Sequence, residues 1–141
     1  MKAIVRNVEG LTFIGRAKSN HWMTFDGPKD FNGAEAASRP MEGLLISLGA
    51  CTGSDVRSML DKMRVPVTKF EIELDSEREH EHPKVFKWIK ISYKFWGKNL
   101  EEYTEKIEKA INLSQDKYCP ISAMLKHSVQ IDHEYTLHEE E

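Results

Sequence analysis

The sequence predicts an α+β fold, antiparallel sheets of about six strands with two main helices, in the order β-β-β-α-β-β-α-β. Three observations predict it. Short apolar runs broken by turn residues fill the stretch from Ala3 to Pro28, a stripe at spacings of three and four runs from Leu45 to Met63, and three later segments alternate apolar with polar residues.

Taken in order, Ala3 to Val8, Leu11 to Ile14 and His21 to Phe25 are separated by Glu9-Gly10 and Lys18 to Asn20 and closed by Asp26-Gly27-Pro28. Such runs and breaks read as an antiparallel meander. From Pro40 to about Arg64, Leu45, Leu48, Thr52, Val56, Met59 and Met63 fall on one helical face. Pro40 suits a first helical turn, and Pro66 ends the pattern. Gly43, Gly49 and Gly53 sit inside this helix, where each glycine costs about 1 kcal/mol relative to alanine, so close packing of another backbone or of a substrate is expected there.

Phe70, Ile72 and Leu74 alternate with acidic residues, while Ile89, Ile91, Tyr93 and Phe95 alternate with Lys90, Ser92 and Lys94. Both read as half-buried strands of one hairpin, whose acidic and basic outer faces can pair. Asn99 with Glu102 resembles a capping arrangement for a second helix with the stripe Leu100, Tyr103, Ile107, Ala110, Ile111 and Ser114. Val129, Ile131, His133, Tyr135 and Leu137 then form a last strand behind a short segment from Tyr118 to Lys126, and the Glu-rich tail after Leu137 is expected to fray.

With 141 residues, 40% hydrophobic and 30% charged, the chain reads as one globular domain spanning residues 1–141. The net charge of -3 gives no basic field for a nucleic-acid backbone. No segment has the apolar length of a membrane span, and Met1 to Gly10 lacks the apolar core of a signal peptide, so a cytoplasmic protein with no membrane partner is expected. Glu79-His80-Glu81-His82, closed by Pro83, reads as a solvated turn rather than a metal site, and no metal or cofactor is expected.

Two cysteines are too few for a disulfide framework, and in a reducing compartment such a pair points to redox chemistry. Cys51 lies mid-helix among small residues that leave its sulfur reachable, although a helical cysteine alone is more simply a small hydrophobe. Cys119 precedes Pro120, which can open a short helix and place the thiol at its N-terminus; that position, with nearby Lys117, would stabilise a thiolate. Only tertiary structure can bring the two together.

The segment Arg39-Pro40-Met41-Glu42-Gly43-Leu44-Leu45, followed by Leu48-Gly49-Ala50-Cys51-Thr52-Gly53 and then by Leu113-Ser114-Gln115-Asp116-Lys117-Tyr118-Cys119-Pro120, resembles the OsmC/Ohr family in its OsmC-like branch. The resemblance covers nearly the whole chain. It implies an OsmC-like fold and a thiol-dependent peroxidase in which Cys51 attacks a peroxide oxygen to become a sulfenic acid and Cys119 resolves it as a disulfide. External thiols would then restore both cysteines. Organic hydroperoxides are the expected substrates, with hydrogen peroxide a further one.

The family also supplies an arginine held by a glutamate to favour the thiolate. Glu42 stands nine positions before Cys51, whereas the family glutamate stands ten before, where this chain has Met41. Arg39 and Arg16 are both candidates for the arginine. Asp55, one helical turn after Cys51, would oppose a thiolate unless it points away or a cation such as Arg57 neutralises it. Leu44, Leu48 and Cys51 beside the main stripe, and Phe86, Trp88 and Trp96 opposite the strand's inner face, are surplus apolar surface for one small core. The resemblance implies an intertwined homodimer that would cover it, with residues of both chains shaping each site. Two other readings carry the same cysteines: a non-enzymatic redox sensor or binding protein, and a structural homodimer with inert thiols.

Overall fold

The chain has the expected α+β character in a computed structural model that describes residues 1–140: six strands in two three-stranded sheets, with helices between them. It divides into two compact units at Leu45/Ile46, a boundary within the long first helix.

In the first unit, β1 (Ile4–Glu9), β2 (Thr12–Arg16) and β3 (Met23–Phe25) form the antiparallel meander. Gly10 turns β1 into β2 at φ +52°, a backbone state that side chains resist. After β3 the chain folds around the buried Asp26 carboxylate, which accepts from the N–H groups of Gly27 (2.7 Å), Ala36 (3.1 Å) and Ala34 (3.3 Å) and from the Thr12 hydroxyl (3.0 Å). The Gly27 bond above all, with the other three and against the opposing effect of burial, holds Asp26 below the usual carboxylate range. Large apolar side chains stay exposed on this unit, among them Val5, Val8, Trp22, Met23 and Phe31.

Helix α1 (Pro40–Lys62) opens with proline at its first position, and the Glu42 carboxylate reaches back to accept from the Arg39 N–H at 2.8 Å, one half of a capping box. In the second unit α1 buries Leu48, Thr52, Val56 and Leu60, one residue per turn. A Cβ at Gly49 would lie 2.7 Å from Leu74 Cδ1, and one at Gly53 would lie 3.0 Å from Ile72 Cδ1. The nearest neighbours of these two glycines are therefore strand side chains rather than another backbone.

Those side chains belong to β4 (Val67–Arg78), which pairs antiparallel with β5 (Phe86–Gly97). The inner face of β5 is fully buried through Ile89, Ile91, Tyr93 and Phe95, and Phe70 stacks on Phe95 at 4.7 Å between centroids. Burying each such side chain contributes about 1.5–3 kcal/mol. On the outer face Lys94 pairs with Glu73 (2.6 Å) and Lys87 with Glu77 (3.3 Å), as the opposed charges predict. Exposed pairs of this kind are worth at most about 1 kcal/mol.

The capping arrangement expected at Asn99 does not form. Asn99 takes a left-handed conformation (φ 54°) that asparagine tolerates, makes no side-chain cap, and leads through a 3-10 turn (Leu100–Tyr103) into α2 (Thr104–Leu113). The expected stripe holds, with Leu100, Ile107, Ala110, Ile111 and Ser114 buried. A π turn (Ser114–Tyr118) and α3 (Pro120–Leu125) follow.

The last strand, β6 (Gln130–Glu139), joins β5 in parallel, so the second sheet is mixed rather than antiparallel throughout. Its return past α2, the π turn and α3 supplies the long crossover a parallel pair requires. The acidic tail does not fray over its described part: Glu139 accepts from the Asn99 N–H and the Glu140 N–H reaches the Gly97 carbonyl, each at 3.3 Å. Glu141 lies outside the described residues. Among them, no helix is long and apolar enough to cross a membrane.

Candidate functional site

Both cysteines are free thiols in the second unit. Cys51 sits in the middle of α1, half-buried. Cys119 is 2% exposed and is the N-cap residue of α3. Pro120 has no N–H to offer, so the Cys119 sulfur accepts from the Ser122 N–H at 3.4 Å, while the Cys119 N–H donates to the Ser114 carbonyl at 2.8 Å. The fold places Cys51 near enough to Cys119 to contribute, behind burial, to the rise of the Cys119 pKa.

The cap position of Cys119 is the one Pro120 predicts, but the thiolate expected there is not favoured. Burial is the largest influence, and it pushes the thiol from 9.0 up to about 11; the Ser122 N–H opposes, while Cys51 and the Asp55 charge add to the rise. A single long N–H···S bond from a one-turn-and-a-half helix does not offset the loss of water. Lys117 does not help, because its ammonium lies over the Tyr118 ring, 5.2 Å from the centroid. Cys119 is thus a neutral thiol at physiological pH.

Around the pair lies a polar network that the sequence reading did not identify. Thr52 Oγ1 meets Tyr93 Oη at 2.6 Å and Ser114 Oγ at 2.8 Å. The Ser114 hydroxyl donates to Asp55 Oδ2 at 2.9 Å. Gln115 Nε2 donates to Thr52 Oγ1 (3.0 Å) and to Tyr93 Oη (2.8 Å), and the Ser122 hydroxyl donates to Gln115 Oε1 (2.9 Å). Thr52, Tyr93, Ser114, Gln115 and Ser122 are all buried. Burial raises the Tyr93 pKa, against the bonds from Thr52 and Gln115, so Tyr93 stays protonated. The available signal was Thr52 and Ser114, two hydroxyls standing in otherwise apolar stripes.

The charged residues expected at the site have other partners. The Arg39 guanidinium pairs with Glu35 at 3.9 Å, both half-exposed, and the Glu42 carboxylate is engaged at the helix N-terminus. Arg16 bonds to Asn20 and lies over the Trp22 ring at 5.0 Å, while its buried Nε has no partner among the described residues. Met41 is half-buried. These four belong to the first unit. Arg57 pairs with Asp61 and donates to the Val67 carbonyl, so it does not neutralise Asp55, whose partner is the Ser114 hydroxyl. A groove of about 530 Å³ runs beside Asp55, walled by Met59, Met63, Leu113 and Tyr118 with Lys62 and Lys109; neither cysteine lines it.

The chain belongs to the OsmC-like protein family, which it matches over residues 33–134. It is similar to Protein YhfA of Escherichia coli (strain K12), 38% identical over 135 residues that span 96% of each chain. Among solved structures it is similar to a hypothetical protein from Aquifex aeolicus VF5, with a TM-score of 0.83 and 30% identity over 99% of this chain and 97% of that one. The fold is shared with an organic hydroperoxide resistance protein OsmC from Legionella pneumophila, with a TM-score of 0.63 and 15% identity over 96% of this chain and 97% of that one.

Proposed function

We propose that the chain is a thiol-dependent peroxidase that reduces organic hydroperoxides, and hydrogen peroxide with them, through Cys51 and Cys119. The observation that carries this reading is a half-buried Cys51 near a buried Cys119 whose pKa it helps to raise. Family membership supports it, as does the shared fold with a protein named for organic hydroperoxide resistance.

In the first step the Cys51 thiolate attacks the outer peroxide oxygen, the O–O bond breaks, and one proton converts the leaving alkoxide to an alcohol, leaving Cys51 as a sulfenic acid. In the second step the Cys119 thiol attacks that sulfur; the S–O bond breaks, the Cys119 proton leaves with the hydroxyl as water, and the Cys51-Cys119 disulfide forms. Two external thiols then restore the pair and leave as their own disulfide. The exposed apolar residues of the β1–β3 unit support the homodimer as the working form.

Peptide mapping of the wild type after one equivalent of an organic hydroperoxide tests the pairing: a Cys51-Cys119 linked peptide is expected, and two unmodified cysteines would refute it. A non-enzymatic sensor using the same disulfide is the alternative, favoured by the engagement of Glu42 at the helix N-terminus. Continued turnover with excess dithiol excludes it, because a sensor reacts once.

A further inference from the structure

The polar network around the cysteine pair has a direction fixed by counting protons. The Ser114 hydroxyl has one hydrogen and gives it to Asp55, so at their shared contact Thr52 donates to Ser114. The Thr52 hydrogen is then committed, so Tyr93 donates to Thr52. Gln115 gives its two N–H groups to Thr52 and Tyr93 and takes the Ser122 hydroxyl on its carbonyl oxygen. Every hydroxyl hydrogen and both amide hydrogens have an acceptor. A buried network satisfied to this degree admits one arrangement, whereas a half-satisfied one is costly.

The network ends on both flanks of Cys119. Ser114 accepts the Cys119 N–H on its carbonyl, and its side chain is held by Thr52 and Asp55. Ser122 gives its N–H to the Cys119 sulfur and its hydroxyl to Gln115. The far anchor is Thr52, the residue next to Cys51 on α1.

We propose that Thr52, Gln115 and Ser122 are positioning residues that hold the Cys119 sulfur against Cys51, so that the network sets the effective concentration of one thiol for the other. None of them touches the reacting oxygen. Resolution then requires no unfolding of the π turn or of α3. The proposal rests on Cys51 and Cys119 being a redox pair, and not on peroxide being the oxidant.

The test is equilibrium oxidation of the purified full-length protein in dithiothreitol redox buffers, with no peroxide present. Thr52→Val removes the hydroxyl at constant volume, and Gln115→Met removes the amide. Each is expected to lower the effective concentration at least tenfold, seen as a rise in the pair's reduction potential of about 30 mV or more. Thr52→Ser, which keeps the hydroxyl, is expected to restore the wild-type value. If Thr52→Val and Gln115→Met fold and keep the wild-type potential, the positioning role is overturned. Should both fail to fold, Ser122→Ala decides, since it removes one bond and keeps the N–H to sulfur: a raised potential supports the proposal and an unchanged one overturns it. A wild type that forms no intramolecular disulfide in any buffer would instead overturn the redox-pair reading beneath it.

Discussion

In a Cys51→Ser variant Cys119 is the one remaining cysteine, and its rate of alkylation against pH reads its protonation directly. In the native chain its thiol is pushed from 9.0 to about 11, with burial the largest cause. The serine removes the smaller contribution of Cys51, so most of the rise remains. At pH 8 a thiol titrating near 11 is ionised in about one molecule in a thousand, against about one in ten for an ordinary one, so alkylation should be about 100-fold slower. The assay is iodoacetamide labelling of the folded variant followed by mass spectrometry from pH 6 upward, with the urea-unfolded chain as reference. The rate should still be climbing past pH 9.0. The same shift makes a statement about stability. Because the folded state keeps a proton that the unfolded state loses, this contribution is fully present below 9.0 and fades as pH rises to about 11. Wild type should therefore lose stability over that window more steeply than Cys119→Ser. A labelling plateau at or below pH 9.0 would refute the reasoning that burial outweighs the helix N-terminus.

Three other outcomes follow from the same geometry. In Cys119→Ser, one equivalent of hydroperoxide should leave a Cys51 sulfenic acid that a dimedone probe captures, with no internal disulfide by mass spectrometry. Gly97→Ala should lower stability in urea by about 1–3 kcal/mol, because its Cβ would lie 2.4 Å from the Pro66 carbonyl oxygen, which is backbone and cannot swing aside. Light scattering across a dilution series, with turnover followed in parallel, should show dimer and activity lost together; a fully active monomer would remove the shared-site model.

What the sequence could show depended on whether the signal was local. Pro40, the three- and four-residue spacings and Pro66 placed α1, and the period of two placed β4 and β5, because each follows from a face that must be buried. Yet Leu60, outside the expected stripe, is fully buried, while Met59 and Met63 line the groove. An apolar stripe drifts around a helix, and a residue that is merely apolar is not thereby central. Alternation in β6 showed which residues share a face but not the direction in which the strand pairs, so its parallel docking on β5 was hidden. Pro120 located Cys119 at a helix start, while its protonation depends on burial, which only the assembled core supplies. Thr52, Tyr93, Ser114, Gln115 and Ser122 are spread along the chain, so the network joining them had no sequence signature beyond hydroxyls in apolar stripes.

The central claim is tested most directly by peroxide consumption with an organic hydroperoxide and excess dithiothreitol, comparing wild type with Cys51→Ser. Serine is nearly isosteric with cysteine but forms no thiolate at neutral pH. The account predicts sustained turnover by the wild type and consumption at the uncatalysed rate by a Cys51→Ser variant of unchanged circular dichroism. Equal consumption by the two proteins would contradict it.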